Sequence, residues 1–292
     1  MIIRRFEGNP IVRAGMDERI GDNLNGPSLI RVPSWIPNPL GRYYLYFAHH
    51  KGTFIRLACA DRLEGPWRIH GPGALELEEA FCNHHIASPD LHVMEGRREI
   101  WMYYHGASRP HLAEQQTRLA VSRDGLHFTA RPEVLGSQYW RVFQWEGFYY
   151  ALEMPGRLRR SKTGVSGFEE GPLLFTPSMR HAAVRRRGDR LHIYYSNAGD
   201  CPERILRATV RLRGNWLDWK AGDPVEVLTP ETEYEGADLP LEPSKRGIAR
   251  ARVRQLRDPC VYEEGEQTFL LYSVAGEHGI ALAEISGGEG EG

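Results

Sequence analysis

Three carboxylates far apart in the chain, Asp90, Glu153 and Asp258, each stand at the edge of an apolar, strand-like run. Gathered in one pocket, such groups do acid/base chemistry. One carboxyl protonates a leaving oxygen while another, ionised, activates water. Polar residues occupy comparable edges elsewhere: Asn25, His49, His50, His85, His105, Arg141, Arg180, His181, Arg257 and Glu277. Imidazole and guanidinium groups hydrogen-bond hydroxyls or anions and shift the pKa of a neighbouring carboxyl. This set is therefore the expected wall of a polar binding site.

An internal repeat supplies the elements that would position these residues. An aromatic-rich run ending in small or polar residues recurs at 43–50, 99–106, 148–155, 191–198 and 269–276. The runs are apolar on both faces, as a strand sandwiched between neighbouring sheets must be. Each is preceded by a shorter strand-like run, beginning near Pro27, Pro89, Trp140, His181 and Pro259. A third run follows each, and turn pairs such as Glu95-Gly96, Glu146-Gly147, Gly188-Asp189 and Glu264-Gly265 mark hairpins between the first two. Four repeats continue into an outer strand, and the fifth stops short. Residues before Asn25 are the natural donor of its missing strand. The expectation is an all-β, five-bladed β-propeller of four-stranded blades forming one domain over 1–292, with an excursion at 214–250 between blades four and five. A β-sandwich is the alternative, but it does not require five equivalent triplets.

In such a blade the start of the first strand and the end of the second lie at the same end of the sheet. The first strand lines the central channel. Those positions therefore converge on one mouth, and they hold the polar residues named above, with Asp90, Glu153 and Asp258 the carboxylates placed deepest. Tyr139, Trp140 and Trp35 are candidate stacking faces. Successive strand residues point to opposite faces, so only one member of His49-His50 and of His84-His85 can face the channel.

Asn25-Gly26-Pro27-Ser28, Ser88-Pro89-Asp90 and Arg257-Asp258-Pro259, in that order along the blades, resemble the five-bladed propeller glycosidases, glycoside hydrolase families 43, 32, 68 and 117. The resemblance spans nearly the whole chain. It implies glycoside hydrolysis by carboxylates, with Asp90 as the positioning and tuning aspartate and Glu153 as the proton donor. It departs at Asn25, where the families carry an aspartate; an amide cannot accept the proton. Two carboxylates are expected substitutes: Asp22, three residues earlier, and Asp258, in the blade adjoining blade one, as base or hydroxyl anchor. The departure leaves three readings: a variant glycosidase, a sugar phosphorylase using one general acid, or a non-catalytic glycan-binding propeller. The implied ligand is a small carbohydrate. An anionic one is compatible with the basic stretch Lys245–Arg254. No cofactor is required, although family analogy admits a calcium or other divalent ion on the axis near His181. No metal ligand set is assigned.

Composition narrows the classes further. The 292 residues carry 37 Lys+Arg against 38 Asp+Glu, without the basic excess of a nucleic-acid binder. No apolar run reaches the roughly 18 residues of a membrane span. No signal-like stretch opens the sequence, so a cytoplasmic location is expected. Cys59, Cys82, Cys201 and Cys260 follow no metal or redox spacing and read as structural thiols.

Overall fold

The computed structural model describes residues 1–107 and 115–287. Its strands form five antiparallel sheets, one per repeat. The innermost strands are Asn25–Arg31, Ile86–Met94, Arg141–Trp145, Met179–Arg187 and Arg257–Glu264. The aromatic runs follow as second strands, at Tyr43–Ala48, Glu99–Ala107, Phe148–Glu153, Arg190–Asn197 and Gln267–Val274. The arrangement is the expected five-bladed β-propeller. The N-terminal strand Ile2–Arg5 closes the ring by pairing with Gly279–Ser286, Ile2 lying opposite Ser286. Asn9 clamps this seam: its amide donates to the Leu282 carbonyl and accepts from the Leu282 N–H, both at 2.8 Å.

Strand alternation explains why the second strands are apolar on both faces. Tyr43, Leu45 and Phe47 enter a cluster shared with blade five, whereas Tyr44 and Tyr46 enter one shared with blade two. Similar clusters fill the remaining blade interfaces. Each fully buried large apolar side chain contributes about 1.5–3 kcal/mol, so the ring is held by its blade-to-blade seams. All four cysteines are free thiols, three of them buried. One boundary differs from expectation. Val225–Leu228 pairs with Ile205–Arg211 as the outer strand of blade four, so the excursion begins only after residue 228.

A second device joins the blades near the axis. Ser28 Oγ accepts the Leu91 N–H at 3.0 Å, and Asp90 Oδ2 accepts the Val142 N–H at 2.8 Å. The Cys260 thiol is likewise hydrogen-bonded to the Leu29 backbone. Ser28, Asp90 and Cys260 each sit just past the register break of their inner strand. Each clasps the next blade. Asp90→Ala should therefore lower stability by about 1–3 kcal/mol, the cost of a buried donor losing its partner, and leave catalysis within a few-fold of wild type. Urea midpoints and turnover measured together check this, and a selective loss of turnover would return Asp90 to the catalytic site.

Candidate active site

Near the axis the inner strands share an unusual backbone. Gly26, Ser88, Tyr139, His181 and Asp258 have φ of +56°, +49°, +60°, +47° and +48° at equivalent places in the five blades. Register breaks accompany four of them, between Asn25 and Ser28, Ala87 and Asp90, Arg180 and Ala183, and Arg257 and Cys260. Such a bulge re-aims the side chain it carries. A left-handed conformation costs a non-glycine residue about 1–2 kcal/mol, so four of the blades hold a strained side chain at the channel. Gly26 cannot be replaced cheaply, since an added Cβ would lie 3.0 Å from Ser88 Cα.

The bulges open onto a cavity of about 280 Å³ at one mouth of the propeller. Asn25, His50, His85, His105, Arg180, His181, Asp258 and Glu277 line it, as expected, together with Ser88, Tyr139, Gln115, Gln138, Met154, Arg246 and Gly247. His50 and His85 are the members of their pairs that face it. Gln138 precedes its bulge residue just as Asn25 and Arg180 precede theirs, a match that alignment on the bulge would have shown. Met154 sits one residue beyond the expected strand end.

Asp258 is 2% exposed. Its Oδ1 accepts from the Tyr139 hydroxyl at 2.7 Å, and its Oδ2 has no partner. Burial and the nearby Glu277 charge push its pKa up to about 6, against the opposing pull of Tyr139, Arg180 and Arg257. Glu277 behaves oppositely. Burial would raise it, but His50, Arg257 and Asn23 together hold it at about 2. Asn23 Nδ2 donates to its Oε2 at 2.5 Å, Arg257 Nη1 to its Oε1 at 3.0 Å, and His50 Nδ1 lies 3.6 Å from Oε1. The mouth thus holds one carboxyl that titrates near neutrality beside one that stays ionised.

Three imidazoles of the mouth are pushed toward the neutral form. Burial lowers His85, takes His105 to about 3 with help from His85 and Arg141, and takes His181 well below its ordinary value with help from Arg180 and Arg257. The Tyr139 N–H donates to His105 Nδ1 at 3.2 Å, so His105 presents Nε2–H as a donor. Arg180 donates to His181 Nε2 at 3.1 and 3.3 Å, so Nδ1 carries the hydrogen and faces Asp258 Oδ1 at 3.5 Å. A calcium near His181 does not fit these surroundings. Calcium takes oxygen ligands, whereas His181 offers an N–H toward Asp258 and a nitrogen engaged by a guanidinium. Among the described residues no group of three or more His, Cys, Asp or Glu could hold a metal.

Other expected residues lie off the wall. Glu153 accepts from Arg159 at 2.7 and 3.1 Å, from Trp140 Nε1 at 3.1 Å and from the Ser137 N–H at 3.0 Å. These donors engage both carboxyl oxygens within the blade, and Glu153 does not line the cavity. Asp90 Oδ2, which accepts the Val142 N–H, also lies 2.8 Å from His92 Nε2. Arg141 lies behind Tyr139, its Cζ 4.7 Å from the ring centroid, and donates to backbone carbonyls. Arg257 bridges Glu203 and Glu277 behind the wall. His49 faces a neighbouring cavity. Glu203, fully buried and in contact with Arg257, lies in the loop between the second and third strands of blade four, away from the strand ends that the repeat singles out.

Fold and mouth define a five-bladed β-propeller of the architecture found in glycoside hydrolases. No family model matches the sequence. The chain belongs to the family of the uncharacterized protein R118 of Acanthamoeba polyphaga mimivirus, with 34% identity over 322 residues covering 98% of this chain and 90% of that protein. Among solved structures it is similar to CoXyl43, a family-43 β-xylosidase/α-arabinofuranosidase from a compost microbial metagenome (TM-score 0.65, 14% identity, 99% of this chain and 96% of that one). It is also similar to a GH43_1 enzyme from Xanthomonas citri (TM-score 0.64, 14% identity, 95% and 92%). A third similar structure comes from the GH130 family of mannoside phosphorylases, which contains glycoside hydrolases targeting β-1,2 mannosidic linkages in Candida mannan (TM-score 0.70, 9% identity, 98% and 94%). At these identities the likeness is one of fold.

Proposed function

We propose that the protein is a carbohydrate-active enzyme that cleaves a glycosidic bond in this cavity, with Asp258 as the group that moves the proton. The observation that carries the reading is the carboxyl pair, Asp258 raised to about 6 with a free Oδ2 and Glu277 held ionised beside it. Two carboxyls whose environments push their pKa values apart are the arrangement that separates a proton donor from a permanent anion. Asp258 protonates the leaving oxygen as the glycosidic C–O bond breaks, and water then adds to the anomeric carbon and returns a proton to Asp258. Glu277 stabilises the positive charge that develops on the sugar ring. His105 donates a hydrogen bond to sugar hydroxyls, and Arg180 and Arg246 favour a small carbohydrate that carries negative charge.

A second reading, phosphorolysis, is favoured by the same wall. Apart from Asp258, the carboxylate on it is engaged by three partners and is too weak a base to activate water well. Phosphate would need no such base, and the arginines would receive it. Incubation with a panel of oligosaccharides and aryl glycosides, with and without phosphate, tests both readings. Product release without phosphate supports hydrolysis; release only with phosphate, yielding a sugar phosphate, supports phosphorolysis. Tight binding without release anywhere in the panel would make the protein a glycan-binding propeller.

A further inference from the structure

A second cavity, of about 240 Å³, adjoins the first and is lined by Asp22, Asn23, His49, Lys51, Arg250 and His278, with Ile248 and Ala249. Two features make the cavities neighbours. His49 and Lys51 line the second while His50, between them in sequence, lines the first. Asn23 is the partition: it lines the second cavity while its side chain contacts Glu277, Asn25 and the His50 N–H at 2.5–3.0 Å. The excursion crosses both, with Arg246 and Gly247 over the first and Ile248, Ala249 and Arg250 over the second.

The second cavity has an excess of uncompensated positive charge. Lys51 and Arg250 make no side-chain hydrogen bond or ion pair among the described residues, and Asp22 is the acidic residue on its wall. Behind His49 lies Arg56, 4% exposed, whose Nη1 has no partner. Its charge is close enough to contribute to the lowering of His49, after burial. The Lys51 N–H donates to His49 Nδ1 at 3.0 Å, which leaves Nε2–H as a neutral donor. Cations left without partners on a concave wall attract an anion, and the buried Arg56 charge behind them strengthens that field.

We infer that this cavity is an anion subsite, and that the ligand is an acidic or phosphorylated saccharide lying under the excursion, its sugar ring at Asp258 and its charged group between Lys51 and Arg250. The inference rests on the carbohydrate reading above and adds the place and sign of the ligand's charge.

The test is calorimetric binding to the full chain. Glucose and xylobiose serve as neutral probes, glucuronic acid and glucuronosyl-xylobiose as carboxylates, glucose 6-phosphate as a phosphate ester, and inorganic phosphate as the bare anion. Carboxylate or phosphate-ester probes should bind about tenfold or more tightly than their neutral counterparts, as expected for hydrogen bonds to charged groups. Lys51→Ala and Arg250→Ala, both at exposed positions, should each remove most of that preference and leave neutral-sugar affinity unchanged. Which arm binds identifies the anion. Equal affinity for charged and neutral probes, or a preference indifferent to both substitutions, overturns the inference; so does inorganic phosphate binding as tightly as any charged sugar. Assaying cleavage of the same charged and neutral saccharides by the wild-type chain separates the two proposals. A charge preference in a wild-type protein that cleaves nothing upholds the subsite and removes the catalytic reading, whereas cleavage with no charge preference does the reverse.

Discussion

Asp258→Asn should cut glycosidic-bond cleavage by about 10²–10⁴-fold, the usual contribution of a positioned proton donor, while the propeller stays folded. Asparagine keeps the shape, and its Oδ1 can still accept from the Tyr139 hydroxyl; it removes only the titrating proton. The wild-type rate should fall as pH rises through about 6, where Asp258 loses its proton, and this limb should be missing from the residual activity of the variant. Stability should move the other way. The pKa of Asp258 is higher in the folded protein than in the unfolded chain. Its ionised form therefore costs the native state about 3 kcal/mol at pH 8, since each tenfold change in proton affinity is worth about 1.36 kcal/mol. That cost fades as pH falls from about 6 to 4. Asp258→Asn should therefore be more stable than wild type at pH 8 and nearly equal to it below pH 4. Denaturant titrations at the two pH values, beside the rate profile, read both effects. A variant that is slower but no more stable at pH 8 would mean that Asp258 is not destabilised by its surroundings, and full turnover would remove it from the mechanism.

The strain beneath this residue has the same logic. Asp258 is a non-glycine residue at φ +48°, its carboxyl is buried, and one of its oxygens lacks a partner. Each of these is unfavourable for folding. They coincide where the surrounding blades can hold them, which is the pattern of a functional position rather than of a structural one. Glu153 shows the opposite character, both of its carboxyl oxygens being engaged by donors, whereas Asp90 commits Oδ2 to His92 and the Val142 N–H. Full satisfaction stabilises a carboxylate but leaves it nothing to offer a ligand.

The ring was legible because its cause is one-dimensional. Five aromatic runs, apolar on both faces, can be buried only between neighbouring sheets, and the missing fifth outer strand pointed to the N-terminus. The mouth was legible for the same reason, since strand ends converge there whatever residues they carry; hence Asn25, His50, His85, His105, Arg180, His181, Asp258 and Glu277 were found. The register inside the mouth was not legible. A bulge of one residue decides whether a side chain enters the cavity or clasps the next blade, and it separates Asp258 from Asp90. Both carboxylates neighbour a proline, but Asp258 precedes Pro259 at the bulge itself, whereas Asp90 follows Pro89 and lies beyond it. The steps Gly26-Pro27, Ser88-Pro89 and Asp258-Pro259 mark the same place in three blades, so aligning the repeats on them would have put Asp90 beside Ser28 and Cys260. Glu153 needed more than a pattern, because its cage depends on Arg159 one strand away and on Trp140 just before the inner strand. Glu203 lies away from the strand ends that the repeat singles out.

Glu203→Ala should lower stability by about 3–5 kcal/mol, the range seen when one partner of a buried ion pair is removed. Glu203 is wholly buried. Its Oε2 accepts from Arg257 Nε at 3.0 Å, its Oε1 accepts from the Ser196 hydroxyl at 2.7 Å, and Arg180 Nε lies 3.7 Å from Oε1. Alanine would leave two buried guanidiniums facing each other with less compensation, as well as a donor without its acceptor. Arg257 retains Glu277, which limits the damage on one side; Arg180 retains His181 and the Lys245 carbonyl, neither of which carries a balancing charge. Glu203→Gln keeps an acceptor for Ser196 and removes only the charge, so its loss should be smaller, and the difference between the variants measures the unpaired cations. The effect should reach the catalytic carboxyl as well. With Glu203 gone, Arg180 and Arg257 act on Asp258 with less opposing charge and pull its pKa below about 6, shifting the pH limb of the rate downward. Urea titrations with an unchanged slope, and a rate profile for the glutamine variant, test the two consequences. A loss below about 1 kcal/mol for the alanine variant, within the range of an exposed pair, would show that the arginines find other partners and that this loop does not hold the mouth together.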